Sequence, residues 1–548
     1  MVLSVRRARV LGFAASCAGV LAGGATGAQA AGPPPSAASP SAIAGGLIDK
    51  GEAAQGAAGA PSSPAQTQTP RAKHPSGGLV FVINRIDFDR SRFLSAAELQ
   101  ALATPLLGRK IDLGDLQHLA EQVNALYAKR GILTGRAFVP PQRISGGVVR
   151  VALVEAKLGS LRFQRGRYTH GDYAAATIRP KAGEVLDIGS LQRQINRFNR
   201  NNDSQAQASF SPGTAPGSTD VVIALTDPPR NLVQLFVDNN GYASTGRLEG
   251  GVLLRRNHLL MDGDRATLYV VGSGGSITGN ASYSIPTGLL DGKAGLSYAH
   301  SDIRVVSGST SALGVHGTSD TGSFSFAVPV VSRDRWTLSM LAVASVIHSL
   351  DEVSGRPIDD TSIAKQSLGV SASRWLGRFA RISGDLQGSR ASVGYSVGQG
   401  PGQFWEASAD FDLATVPWHG ASLHVSGVGQ YVDHKDVPGT QLFQIGGFGS
   451  VRGYEPGVAT GHAGYAVQSE LHLDLKPWRK WLDPYGFADT GEVWSGGRRH
   501  ARADGAGVGL VVNPFKHLTL QASYAFALDH LSATQYGDRL DLKGIISF

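Results

Sequence analysis

From Asn231 to Phe548 the chain reads as short segments of alternating polarity separated by Gly, Asp, Asn and Pro. Tyr465, Val467, Leu471, Leu473 and Leu475 share one parity, and Gln468, Glu470, His472 and Asp474 share the other. Successive side chains of a strand point to opposite faces, so this stretch has one apolar and one polar face. Phe324, Phe326, Val328 and Val330 repeat the pattern against Ser323 and Ser325, and Leu540, Leu542, Ile546 and Phe548 repeat it against Arg539, Asp541, Lys543 and Ser547. Charges on one face and apolar groups on the other describe a wet lumen and a lipid-facing wall, whereas a soluble sandwich turns its apolar faces inward. At roughly 20 residues for each strand and its connection, the region has room for about sixteen strands. A barrel of that size leaves an aqueous channel unless something fills it. The expected fold class is mainly β, with an antiparallel transmembrane β-barrel at 231–548.

Two smaller modules precede it, expected at 77–156 and 157–230. In the first, Phe81 to Phe88 reads as a strand, and Ser95 with Glu98 forms a capping box for a helix running to about Leu107. A second helix begins after Asp112, where Leu116, Leu119, Ala120, Val123, Leu126 and Tyr127 recur at helical spacing and make one buried stripe. Strands return at Arg136–Val139 and Val148–Glu155, giving the order strand, helix, helix, strand, strand. The second module repeats the plan: Leu161–Gln164 opens it, Leu191, Ile195 and Phe198 mark a helix face, and Val221–Leu225 closes it before Pro228 and Pro229. The unpaired edge of such a small sheet offers backbone donors and acceptors to an extended peptide without reading its sequence. The plainer alternative makes both modules spacers.

The N-terminus changes the compartment. Arg6, Arg7 and Arg9, the apolar run Val10–Val20 and the small-residue site Ala28-Gln29-Ala30 read as a signal peptide over residues 1–30. Residues 31–76, rich in Ala, Gly, Pro, Ser and Gln, read as a flexible linker, with Ser41–Gln55 a weak candidate for one short helix. The only cysteine, Cys17, lies in the signal, so the exported chain has neither disulfide nor thiolate metal site. No later segment offers about 20 uninterrupted apolar residues, which argues against helical membrane spans. The net charge of +8 is scattered rather than clustered, and no nucleic-acid partner is expected.

Candidate chemistry concentrates in two motifs. Leu442-Phe443-Gln444-Ile445-Gly446-Gly447-Phe448-Gly449-Ser450 leads into Val451-Arg452-Gly453-Tyr454, and downstream stands Phe487-Ala488-Asp489-Thr490-Gly491. The first resembles the loop signature of the Omp85 superfamily, whose tip folds back into the barrel, and the second resembles that superfamily's inner-wall strand motif. A guanidinium held away from bulk water is costly unless a carboxylate meets it, often through paired hydrogen bonds. Arg452 is therefore paired with Asp489 as a loop latch; taken alone, each motif also fits a solvated loop cation and a turn residue. Phe138-Val139-Pro140-Pro141-Gln142, followed by Gly146-Gly147 and Val154-Glu155, resembles the first POTRA domain of two-partner secretion transporters of the TpsB type. Pro212-Gly213-Thr214, Gly217-Ser218-Thr219-Asp220, Asp238-Asn239-Asn240-Gly241, Thr245-Gly246-Arg247, Asn257, Asp262-Gly263-Asp264 and Tyr283-Ser284-Ile285-Pro286 are similar to that family as well.

The resemblance implies two periplasmic POTRA domains before an outer-membrane barrel that moves a partner exoprotein to the cell surface. The partners it implies are that polypeptide, held extended by the POTRA domains, outer-membrane lipid, and the barrel assembly machinery during insertion. The family's pore-plugging helix has only Ser41–Gln55 as its counterpart. No cofactor is expected: Gly292-Lys293 is followed by Ala294 and lacks the phosphate-loop pattern. Gly394-Tyr395-Ser396-Val397-Gly398 fits a nucleophile elbow only if it turns from strand to helix. His300, His316, His424 and His434 lack metal-ligand spacing, and Asp359-Asp360 beside Pro357 is a turn signal. The expectation is a translocator and not an enzyme. The competing readings are an insertase of the same architecture, a passive porin and an esterase at Ser396.

Overall fold

The computed structural model describes residues 80–548 apart from 131, 133–134, 145, 182, 216, 289–290, 309–310, 334, 476–480, 497–499 and 532–536. The expected export signal, linker and short helix at 41–55 fall outside the described residues. The chain forms two compact units divided at Pro228 and Pro229.

The unit before that division contains two three-stranded sheets of one topology. In the first, Val148–Glu155 is central, parallel to Arg85–Phe88 and antiparallel to Gly135–Phe138. The single strand expected at Phe81–Phe88 is two strands, because Phe81–Val82 pairs instead with Lys110–Ile111. The break follows from Gly147, whose carbonyl takes the N–H groups of both Asn84 and Arg85, at 2.7 and 3.2 Å. The helix Ala96–Ala103 starts on the reciprocal Ser95–Glu98 capping box and tightens into a 3-10 turn at Thr104–Leu106, since Pro105 has no N–H to continue the ladder. In Leu113–Lys129, capped by Asp112 and Asp115, the expected stripe is buried at Leu116, Leu119, Ala120, Val123 and Tyr127 and half-buried at Leu126. Each large apolar side chain so buried contributes roughly 1.5–3 kcal/mol. The second sheet places Ser218–Thr226 at its centre, parallel to Lys157–Gln164 and antiparallel to Gln205–Pro212. Leu191, Ile195 and Phe198 of the helix Ile188–Asn201 pack against it. The strand Gln205–Pro212 is not among the expected elements, because its alternation of small and polar residues carries little strand signal.

The second unit is a closed barrel of sixteen antiparallel strands. The wall runs in chain order from Asn231–Asp238 to Asp538–Ser547, and those two strands pair to close it, from Lys543 opposite Asp238 to Ser547 opposite Gln234. The backbone of Phe548 finishes the seam, donating to the Val233 carbonyl at 2.8 Å and accepting from the Val233 N–H at 3.1 Å. Closure leaves no unpaired edge, the condition for a sheet to cross hydrocarbon. Phe324, Val330, Leu471, Leu473, Leu540, Leu542, Ile546 and Phe548 are exposed on the outside, while Glu470 and Asp541 of the opposite parity are buried. Ser396 lies in the strand Ala380–Val397, which turns into another strand, Gln403–Thr415, so the nucleophile-elbow geometry is absent there.

Candidate functional site

Between the wall strands Ala421–Val432 and Ala463–Leu473 the chain leaves the wall and folds inward. A short hairpin, Phe443–Ile445 with Ala459–Gly461, carries the tip at residues 446–458. Gly453 adopts φ +95, and a β-carbon there would lie 2.8 Å from the backbone of Phe526 and Ala527. Only glycine lets the loop approach the wall so closely.

The four tip residues are held separately. Arg452 is 1% exposed. Its Nε and Nη2 donate to the two oxygens of Asp489, each at 2.7 Å, and its backbone N–H donates to Asp489 Oδ2 at 3.0 Å. Its Nη1 donates to Glu470 Oε1 at 2.7 Å, and its Cζ lies 3.7 Å from the ring centroid of Phe487. The motifs read as a latch are thus in contact: Phe487, Asp489 and Gly491 alternate along Leu482–Trp494 and all turn inward. Gly491 makes room for the tip, since a β-carbon there would meet Val451 Cγ2 at 2.9 Å. Val451 is buried with Phe443, Ile445, Ala466, Val493 and Ala503. The Tyr454 hydroxyl donates to the Asp504 carbonyl at 2.8 Å and accepts the Asp529 N–H at 2.9 Å.

Sequence reasoning placed Glu470 on the wet face but missed it as the second carboxylate on Arg452. Its inward parity on the strand next to Asp489 was the available signal. Also missed were Gly464 and Gly505, where β-carbons would strike the Phe443 ring at 2.0 Å and the Arg452 carbonyl at 2.2 Å. With Gly491 they form a slot across three neighbouring strands. Further along the loop, Lys365 Nζ contacts Glu406 at 2.7 Å and Gln441 at 3.3 Å. Glu455, directly after Tyr454, meets Arg247 at 2.5 Å and Arg539 at 3.0 Å. Asp489 and Glu470 satisfy the Arg452 guanidinium, an arrangement suited to holding a loop in place. Removing one partner of such a buried set typically costs about 3–5 kcal/mol.

In the other unit, the Gln142 side chain takes up strand pairing where Gly135–Phe138 ends. Its Nε2 donates to the Arg150 carbonyl at 2.8 Å and its Oε1 accepts the Arg150 N–H at 2.9 Å. Pro141 precedes it, exposed and without an N–H. Among the described residues no group of three or more His, Cys, Asp or Glu is arranged to hold a metal.

Comparison with known proteins agrees with this geometry. Residues 81–156 match a family model described as POTRA domain, ShlB-type, and residues 217–512 match one described as haemolysin secretion/activation protein ShlB/FhaC/HecB. The outer membrane transporter CdiB of Dickeya dadantii is 25% identical over 74% of each chain. The heme/hemopexin transporter protein HuxB of Haemophilus influenzae is 22% identical over 72% of each. The solved structure of CdiB from Escherichia coli superposes with a TM-score of 0.66 at 19% identity, covering 92% of this chain and 97% of that one. With more than half its length matched by the second model, and with the inward loop and wall motif in place, the chain belongs to the ShlB/FhaC/HecB family of haemolysin secretion/activation proteins.

Proposed function

We propose that this chain carries one secreted partner polypeptide across the outer membrane through the lumen of its barrel, with the Arg452 loop as a gate element. The barrel lies in the outer membrane and the POTRA region in the periplasm. The observation that carries the gate reading is the buried contact of Arg452 with Asp489 and Glu470, which holds a loop inside a closed sixteen-strand wall. We place the modules at 77–156 and 157–230 and the barrel at 231–548. A client held extended along a sheet edge of the modules enters the lumen, passes the loop, and folds outside. Folding removes the unfolded species from the outward equilibrium and so biases movement outward without local fuel. Arg452 and Asp489 act as a latch that sets loop position, and the chain works as a transporter with no catalytic step of its own. Outer-membrane lipid surrounds the wall, and the barrel assembly machinery inserts it.

The test is Arg452→Ala. The variant barrel is expected to insert normally and to secrete poorly, read as client on the cell surface or in the medium; normal secretion overturns the latch. An insertase function would instead show as loss of many outer-membrane proteins on depletion, where a dedicated transporter affects one client.

A further inference from the structure

Two neighbouring hairpins at the end of the barrel where Asn231 enters the wall carry an arginine and aromatic patch that secretion does not explain. Val315–Arg333 and Trp336–Val353 meet across residues 334–335, and Arg356–Leu376 and Ala380–Val397 meet across Gly377–Phe379. The wall is entered at this end, at Asn231, directly after the periplasmic modules, so these turns face the periplasm. Trp336 pairs with Arg333 on one side and Arg374 on the other, and Arg374 pairs with Ile382. Directly paired residues share a face. That face continues through the register pairs Met340 with Val370 and Val370 with Leu386, all three exposed. Arg333 and Arg374 therefore stand on the outer, lipid-side wall, just beyond the apolar band.

The turns add Arg335 and Arg378, both exposed. Arg333 Cζ lies 5.8 Å from the Trp336 ring centroid, and Arg378 Cζ lies 5.2 Å from that of Phe379. The Trp375 N–H donates to the Arg335 carbonyl at 2.7 Å, tying the hairpins together. Nearby carboxylates lie on the opposite face: Asp385 pairs with Ser371 and with Asp410, and Asp412 pairs with Ser383. Asp334 lies outside the described residues; even with its charge counted, the patch is net positive.

We infer that this patch binds the headgroup phosphate of an anionic phospholipid in the periplasmic leaflet. Guanidinium groups fork onto phosphate oxygens, and an indole beside them sits well at the depth where headgroup meets acyl chain. The shared face with Met340, Val370 and Leu386 favours a lipid over a soluble acidic peptide, which would have no reason to follow the apolar band. The inference rests on the barrel being embedded in lipid and not on the identity of any client. It is tested on purified protein without client, so its failure is separable from failure of the secretion reading.

The full-length barrel is exchanged into mixed phosphatidylglycerol and phosphatidylcholine nanodiscs, and the lipids retained on release are counted by native mass spectrometry. Wild type should retain phosphatidylglycerol preferentially. The double variant R374Q/R378Q should lose that preference by about fivefold for each arginine removed, with heat-modifiable gel migration checking that the barrel is intact. R390Q, whose arginine contacts Gln403 and lies eight residues beyond Ile382 along Ala380–Val397, should leave the preference unchanged. Equal retention of both lipids by wild type, an unchanged preference in the double variant, or an equal loss in R390Q overturns the assignment. So does capture of polyglutamate in detergent with no lipid preference, which would assign the patch to a polypeptide.

Discussion

At the level of single residues, one guanidinium and two carboxylates hold the loop inside the lumen. Asp489 accepts three hydrogen bonds from Arg452, and Glu470 accepts one. Asp489→Asn should therefore disturb the loop more than Glu470→Gln. The expected reading is a large gain in protease cleavage at 446–458 from the lumen side for Asp489→Asn and a smaller one for Glu470→Gln, since stranding a buried charge costs about 3–5 kcal/mol. Equal cleavage in both variants would mean that the two carboxylates share the load. The pairing of Arg452 with Asp489 was legible in the sequence because each sits in a motif with a defined place in the fold. Glu470 was not, because its role depends on strand register, and a shift of one residue would turn it to the lipid. Gly505 was illegible for a similar reason: its cost is a collision with the Arg452 carbonyl, which no local pattern announces.

At the element scale the two small sheets are legible to different depths. The first announced itself through two helix starts and one apolar stripe, and the stripe is the buried face. The second hid its edge strand Gln205–Pro212, whose pattern is weak on its own and is set by pairing to Ser218–Thr226. Its helix and sheet are joined through Asp227. Burial pushes that carboxyl up, but the hydrogen bonds it accepts from the Thr169 hydroxyl, the Tyr168 and Thr169 N–H groups and the Ser204 hydroxyl outweigh this and hold it at about 2, below its usual 3.8. A depressed carboxyl stabilises the fold above its unfolded value, and that contribution fades as pH falls from about 4 to about 2. Protection of the Tyr168 and Thr169 amides of the full chain, measured relative to intrinsic exchange at each pH, should fall over that window, and Asp227→Asn should show low protection already at neutral pH. A flat profile in the parent chain would contradict this. In the first sheet, Gln142→Ala removes the paired bonds to Arg150 and should cost roughly 1 kcal/mol or somewhat more, read as a lower denaturant midpoint.

At the scale of the whole molecule, alternation along isolated segments was enough to orient the wall. Of the residues read as lipid-facing, Phe324, Leu471, Leu540 and Phe548 are exposed, while Phe326, Val328, Tyr465 and Val467 are half-buried. What alternation cannot supply is closure: the seam between Asn231–Asp238 and Asp538–Ser547 joins residues some three hundred positions apart, as in the bond from Asn239 to the Leu540 carbonyl. The loop inside the lumen likewise depended on a family resemblance, because a polar loop looks alike inside and outside a barrel.

Neighbouring residues on one strand test whether a polypeptide passes through the lumen. Asp385 faces inward, paired with Asp410, and Leu386 beside it faces outward, paired with Ala409. A photo-crosslinking amino acid is placed at each position in turn while a client with a stalled folding domain is being secreted. Client adducts are expected from position 385 and none from 386; adducts from 386 alone, or from neither position during active secretion, would overturn passage through the lumen.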